Sequence, residues 1–285
     1  MALNIKTFFT RLGSAAIFSA IMMLAFLTNE WAFIALFFIV NIICLNEYAR
    51  IVERILKISF SRNEKMNFYL SGIALFLIVC CLPLLPCQNS VSHFLTHFMF
   101  YFLGLFLGAV LLFFMTKKSK YAYFLLTGLG YISLALGLFV QLRFQSLLLP
   151  LILLLFIWMN DTLAYLTGSF FGKTKYIPSI SPNKTLEGTI GGILFTLAFA
   201  FVWGYFTHWF PIWQWLVMGI LASIGGTLGD LAESKLKRMA DIKDSGNLMP
   251  GHGGALDRFD SLLITAPLVF LFAIIFMKCF PYVVF

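Results

Sequence analysis

Charge is what this sequence most lacks. Charged residues make up 11% of its 285 positions, and 61% are hydrophobic; soluble domains carry roughly a quarter charged residues. That shortage excludes a soluble globular domain. Alternation of polar and apolar residues is also missing from the apolar runs, which excludes a transmembrane β-barrel and leaves helices as the way to satisfy a backbone in lipid. There is no Walker loop and no dinucleotide-type glycine pattern, so P-loop chemistry is disfavoured. The absence of an internal repeat weighs against an inverted-repeat transporter. The five cysteines, Cys44, Cys80, Cys81, Cys87 and Cys279, show no metal-binding spacing and read as packed thiols. His93 and His97 stand four apart with no third ligand nearby, too few for a metal centre.

What is present is a series of apolar runs, several of which reach the roughly 20 residues that cross a bilayer as helix. Nine spans are expected, at about 12–28, 31–46, 67–86, 98–115, 121–140, 147–167, 189–207, 212–229 and 261–280. The predicted class is an all-α polytopic integral membrane protein with its N-terminus cytoplasmic and its C-terminus outside. With that orientation eighteen of the 20 Lys and Arg fall inside, and only Arg143 and Lys278 fall outside, the positive-inside pattern. The net charge of +8 is then topology and implies no nucleic acid. Lys6 and Arg11 flank the first run as in a secretory signal, but no small-residue cleavage site follows, so an uncleaved helix is expected.

Two regions are anticipated. Residues 1–145 form a transmembrane scaffold of about five helices, with 47–66 lying as an interfacial helix on the cytoplasmic surface because Ile51, Ile55 and Ile58 share a face. Residues 146–285 form the catalytic region, with cytoplasmic loops at 168–188 and 230–260. Eight of the twelve acidic residues lie in this second region: Asp161, Glu187, Asp230, Glu233, Asp241, Asp244, Asp257 and Asp260. Acidic residues contribute little to orientation, so they call for another explanation.

Asp161, in "FIWMNDTLAY", is ionisable inside a span and therefore a functional candidate, although a helix-pairing Asp fits equally. In "SPNKTLEGTIGG", Ser181 followed by Pro182 reads as an N-cap and first helical residue. Lys184 and Glu187 then share the first turns, and Ser181, Lys184 and the helix start are suited to a phosphate. Gly188 and Gly192, and again Gly225 and Gly229, have small-xxx-small spacing, so the seventh and eighth spans are expected to pack closely. Asp230, Glu233 and Lys237 follow at i, i+3 and i+7, with Ser234 and Arg238 at i+4 and i+8. Carboxylates that hold Mg²⁺ beside cations that meet phosphate oxygens give this pattern; so does an ordinary salt-bridged helix end. In "KDSGNLMPGHGGALDRFD", residues 243–260, Gly246, Gly251, Gly253 and Gly254 permit backbone approach to a ligand. Asp257 is either an N-cap or a partner of Asp230 in a metal site, and His252 and Arg258 stand beside it.

The stretch "SKLKRMADIKDSGNLMPGHGGALDRFD" closely resembles the phosphatidate cytidylyltransferase (CDP-diacylglycerol synthase) family pattern: S-x-x-K-R, K-D four residues on, H-G-G and D-R-x-D. "SPNKTLEGTIGG", "NDTLAY" and "LGDLAES" also resemble family segments. Met249, Ala255, Leu163 and Leu186 depart from the pattern, but no charged position does. The resemblance implies transfer of CMP from CTP to phosphatidate, giving CDP-diacylglycerol and pyrophosphate. It also implies Mg²⁺, a second metal site that can take K⁺, a homodimer, and a bacterial inner membrane with the site on the cytoplasmic side. By position, Asp230 and Asp257 are the implied metal ligands, with Asp161 a further candidate. Lys237, Arg238, Lys243 and Arg258 are expected on the phosphates, with Lys184. Asp244, His252 and Asp260 are expected to orient the loop, and Ser181, Glu187, Ser234, Gly253 and Gly254 to contact substrate. The rival readings are a CTP-dependent polyprenol kinase and an ion or lipid transporter.

Overall fold

Apolar runs with no interrupting charge satisfy their own backbone groups only as helices when water is excluded, and helices are what form. The computed structural model describes residues 5–81, 119–248 and 253–277. Its helices are α1 (Ile5–Leu27), α2 (Glu30–Leu56), α3 (Arg62–Cys81), α4 (Ser119–Gly128), α5 (Ala135–Gln145), α6 (Leu148–Phe171), α7 (Leu186–Thr207), α8 (Ile212–Met239) and α9 (Leu256–Phe276). A π-helical segment, Leu129–Leu134, joins α4 to α5. An isolated antiparallel bridge joins Lys175 and Thr185.

Seven apolar helices among the described residues are long enough to cross a membrane: α2, α3, Tyr123–Gln145, α6, α7, α8 and α9. The chain is a polytopic membrane protein. In α1, Ala16–Leu27 is a further apolar helical stretch among the described residues. The span expected at 98–115, His93, His97, Cys87 and Cys279 lie outside the described residues. On α7, Ile190, Leu194, Phe195, Phe201 and Phe206 are exposed. An apolar surface of that extent would be a liability in water and is what a lipid-facing helix presents. Cys44 and Cys80 are buried thiols and Cys81 is an exposed one.

Residues 47–66 do not form one interfacial helix. Glu47, Tyr48, Ala49, Ile51 and Val52 are buried on α2. That helix stops at a left-handed C-cap, Lys57, with φ 54°, and α3 begins at Arg62. Glu53 fastens the link between them, accepting from Phe60 N–H at 2.6 Å and pairing with Lys65 at 2.9 Å. Of the three isoleucines, Ile51 is buried in the core, Ile55 is half-buried, and Ile58 lies past the end of α2.

The chain divides into two compact units. One takes α1 to α4, the π segment, most of α5, the end of α8 and the first turn of α9. Its core is aromatic: Phe33, Phe37 and Phe139 meet with ring centroids 4.7 to 5.8 Å apart, and Phe259 joins at Phe37, 5.9 Å away. Ser133 in the π segment donates to Asn41 Oδ1 at 2.9 Å, which ties α2 to the helix irregularity through a buried polar bond.

The other unit takes the end of α5, α6, α7, most of α8 and the rest of α9. Here small residues set the packing, but not in the expected pairing. Gly188 and Gly192 lie on α6, where an added Cβ would meet the Ala164 carbonyl oxygen at 2.7 Å and the Asn160 carbonyl oxygen at 2.8 Å. Gly225 and Gly229 instead lie on α9: a Cβ at Gly225 would meet Thr265 Oγ1 at 2.9 Å, and one at Gly229 would meet Ser261 Cα at 2.9 Å. Ser261 Oγ donates to the Gly226 carbonyl at 3.1 Å across the same seam. Where α7 approaches α8, the small contact is Gly219 on Ala200. The two glycine faces therefore serve two different neighbours. Spacing reveals a close-packing face but not the helix that occupies it.

Gly188→Ala is expected to destabilise the detergent-solubilised protein by the equivalent of about 1–3 kcal/mol, because backbone must move to admit the methyl group. Gly13→Ala, whose Cβ would meet nothing within 4 Å, is expected to be neutral or slightly stabilising through helix propensity. Thermal unfolding followed by intrinsic tryptophan fluorescence checks the pair; equal midpoints would remove the packing argument.

Candidate functional site

Carboxylates placed among apolar helices need cations or backbone donors, because an unpaired buried charge is costly. Two such clusters form, one in each unit, and α8 contributes to both.

The first cluster joins α6, the segment before α7, and α8. Lys184 Nζ pairs with Asp230 Oδ2 at 2.5 Å, and Ser234 Oγ, one turn on, contacts Asp230 Oδ1 at 3.3 Å. Asp161 lies within electrostatic range of both Asp230 and Lys184 and accepts from Asn160 Nδ2 at 3.4 Å. Asn160 itself is buried at 2% exposure, and its Oδ1 has no hydrogen-bond partner among the described residues.

The approach to α7 is built differently from the sequence expectation. Ser181 is not the N-cap. Residues 182–183 make a turn, Lys184 N–H donates to the Ser181 carbonyl at 3.3 Å, and the helix starts at Leu186. Its cap is Thr185, extended at φ −118° and ψ 151°, whose hydroxyl accepts from Gly188 N–H. The Ser-Pro signature marks a turn here because Asn183 and Lys184 leave the helical path before it is established. Glu187 faces back along the chain and accepts from Lys173 N–H at 3.0 Å and Thr174 N–H at 3.1 Å. It closes the 172–185 loop, the antiparallel bridge lying within the same closure, and so brings Lys184 to α8.

The second cluster joins α2, the end of α8, the 240–255 loop and the start of α9. Lys237 Nζ pairs with Asp257 Oδ1 at 2.6 Å, both side chains being largely buried (13% and 7% exposed). Asp257 Oδ2 accepts from Ser245 N–H at 2.8 Å, Gly254 N–H at 2.8 Å and Ser245 Oγ at 2.9 Å. Asp257 is thus less a cap of its own helix than a clamp on the loop. Gly253 has φ +82°, and a Cβ there would meet Asp257 Oδ2 at 2.5 Å, so this position requires glycine on both counts.

Behind Asp257 stands a residue that sequence reasoning missed. Glu47, buried on α2, accepts from Ser245 Oγ at 2.8 Å, Ala255 N–H at 3.0 Å and Leu256 N–H at 2.8 Å. The one signal available was a carboxylate within a run of apolar residues, and it was hidden by its place in a mixed-charge segment.

The remaining candidates are more open. Arg238 is exposed and reaches the Ile242 carbonyl at 3.5 Å. Lys243, Asp244 and Arg258 are exposed. Asp260 Oδ1 accepts from its neighbour Ser261 N–H at 2.6 Å, a local bond at the α8–α9 seam. Glu233 is fully buried on α8. His252 lies outside the described residues.

No group of three His, Cys, Asp or Glu suited to a metal occurs among the described residues. The donor chemistry of the first cluster nevertheless fits a hard cation. Asp161, Asp230 and the unpartnered Asn160 Oδ1 are oxygen ligands of the kind Mg²⁺ takes alongside water and substrate oxygens, and Lys184 already provides a positive charge there. Asp257 is more restricted. Two backbone N–H groups bond Oδ2 and Lys237 bonds Oδ1, so a ligand reaching Asp257 competes with bonds already made.

The whole described arrangement falls within a sequence match to the cytidylyltransferase family, covering residues 9–276. The chain is 44% identical over 149 residues to a phosphatidate cytidylyltransferase of Staphylococcus haemolyticus (strain JCSC1435), a match covering 52% of this chain and 57% of that protein. It is 40% identical over 166 residues to a phosphatidate cytidylyltransferase of Staphylococcus aureus (strain COL), covering 56% of this chain and 64% of the relative. Each match spans less than two thirds of the relative's length.

Asp257→Ala is expected to destabilise the protein by the equivalent of about 3 kcal/mol, since it strands a buried ammonium and two backbone N–H groups. Asp257→Asn should lose less, because one amide oxygen still accepts from the loop. Thermal midpoints of the two variants in the same detergent check the order; a reversed order would show that charge, not loop clamping, dominates at this position.

Proposed function

Because the chain belongs to the cytidylyltransferase family, we propose that it transfers CMP from CTP to phosphatidate, forming CDP-diacylglycerol and pyrophosphate for phospholipid synthesis. The relatives' names support the acceptor. The observation that carries the reading to particular residues is the pairing of Lys184 with Asp230, which joins two separate family-like segments in one charged cluster.

The chemistry suits such a cluster. An oxygen of the lipid phosphate attacks the α-phosphorus of CTP; that P–O bond forms while the bond to the β-phosphate oxygen breaks, and pyrophosphate departs with the electron pair. The nucleophile is already an anion, so no strong general base is needed. The barrier is repulsion between phosphates, which preorganised positive charge relieves. Lys184 and Lys237 are held by carboxylates at fixed positions, and phosphate oxygens compete for the same ammonium groups. Arg238, Lys243 and Arg258 are exposed and are the cations assigned to incoming phosphates. Asp161, Asp230 and Asn160 would hold Mg²⁺ in the first cluster, with K⁺ as a second ion, and Asp257 is a candidate ligand within the second cluster. When bound, Mg²⁺ supplies Lewis-acid neutralisation of the phosphate oxygens.

The setting belongs to the same proposal: a homodimer in a bacterial inner membrane, its site on the cytoplasmic side where CTP is available, fed with phosphatidate from the surrounding lipid.

Detergent-solubilised protein given CTP and phosphatidate is expected to release pyrophosphate and form CDP-diacylglycerol. Chelation with EDTA should abolish turnover and added Mg²⁺ restore it. Asp230→Asn and Lys184→Met should each lower kcat by about a hundredfold or more. Release of CDP with a phosphorylated lipid would favour a polyprenol kinase, and a requirement for sealed vesicles would favour transport. Near-wild-type turnover in Asp230→Asn would sink the role given to the first cluster.

A further inference from the structure

The start of α9 has an unusual solution to a general problem. The first N–H groups of any helix have no partner within the helix, and a Ser, Thr, Asp or Asn at the N-cap ordinarily accepts from them. Here the residue before the helix is Ala255, which has no side-chain acceptor. Ala255 N–H and Leu256 N–H go instead to Glu47, 208 and 209 positions earlier in the chain. A carboxylate suits this because it only accepts and has capacity for several donors. Three donors surround it, and its burial leaves water little access to replace them.

Ser245 ties Glu47 to the second cluster. Its hydroxyl stands 2.8 Å from Glu47 Oε2 and 2.9 Å from Asp257 Oδ2, and its N–H donates to Asp257 Oδ2. The Ser245 side chain therefore sits between the two carboxylates, and Gly254 N–H completes the ring on Asp257. Two loop glycines are explained by the same residue. A Cβ on Gly254 would meet Glu47 Oε2 at 2.5 Å, and one on Gly246 would meet the Glu47 carboxyl carbon at 2.8 Å. The loop is thus moulded around Glu47 as well as open to a ligand.

We propose that Glu47 is a positioning residue for the transfer reaction: from α2 it fixes Ser245 and the first residues of α9, and through them the carboxylate of Asp257 against Lys237. The inference rests on the cytidylyltransferase reading. It also assigns a part in the site to the N-terminal region. Glu47 touches no reacting atom in this role. Its effect is on the placement of groups that do, where errors of about an ångström lower rates about a hundredfold.

The test compares wild type with Glu47→Gln, Glu47→Asp, Ser245→Ala and the Glu47→Gln/Ser245→Ala double variant, all as full-length protein in detergent. Glu47→Gln keeps the shape but presents an amide N–H₂ to donors. It is expected to lower kcat about tenfold or more, with KM for CTP and phosphatidate changed less than about threefold. Backbone hydrogen exchange at Gly254, Ala255 and Leu256 should speed up in the same variant. Glu47→Asp should recover part of kcat. The double variant should lose no more than the worse single one, because both act through one ring of hydrogen bonds. Wild-type kcat in Glu47→Gln, or a loss that tracks only the unfolded fraction while exchange at 254–256 stays unchanged, would overturn the proposal. Failure of the wild type itself to form CDP-diacylglycerol would overturn the underlying functional reading instead, a separate and distinguishable result.

Discussion

Two carboxylates, Glu47 and Asp257, share the donors at the entrance to α9, and the polar loop before that helix depends on how they do so. A loop of this length rich in glycine has little apolar surface to bury and much conformational entropy to lose. Hydrogen bonds to buried charges compensate because they are among the stronger ones available. Asp257 draws in Ser245 and Gly254 from the loop, Lys237 from α8 and, through Ser245, Glu47 from α2. Remove either carboxylate and the other has a neighbour without its anchor.

The first cluster follows the same economy of charge with different materials. Lys184 arrives on a loop and reaches Asp230 only because Glu187 closes that loop onto its own backbone. The pair is partly exposed, so its contribution to stability is small after solvent screening. Its value is placement: an ammonium and a carboxylate are held within electrostatic range of Asp161, which accepts from the neighbouring Asn160 amide. An amide oxygen left without a protein donor is the type of oxygen ligand a hard cation takes. The close glycine contacts at Gly188 and Gly192 let α7 lie against α6, bringing Lys184's loop near Asn160 and Asp161 in the same unit.

Much of this was legible in the sequence. Helical membrane architecture followed from low charge and uninterrupted apolar runs, because lipid offers the backbone no alternative. The acidic excess after residue 157 pointed to where charged clusters form, and Asp161, Lys184, Asp230, Lys237 and Asp257 all lie in the two that do. Three readings went astray for one reason. Ser181 was given a cap that belongs to Thr185. The two glycine faces were paired with each other rather than with α6 and α9. The isoleucines of 47–66 were assigned to a membrane surface when Ile51 is core. Each involved a local pattern correctly seen, whose partner was chosen by something distant.

By itself the sequence determined the helical class, the positions of most spans and which charged residues lie close together along the helices. Those depend on composition and on spacings within one or two turns. The tertiary structure alone decided which carboxylate holds which donor. Glu47 lies about two hundred residues from Ser245, Ala255 and Leu256, and no periodicity connects them. A hydrogen bond depends on ångström distances in space, and separation along a chain conveys none of that until the helices have packed.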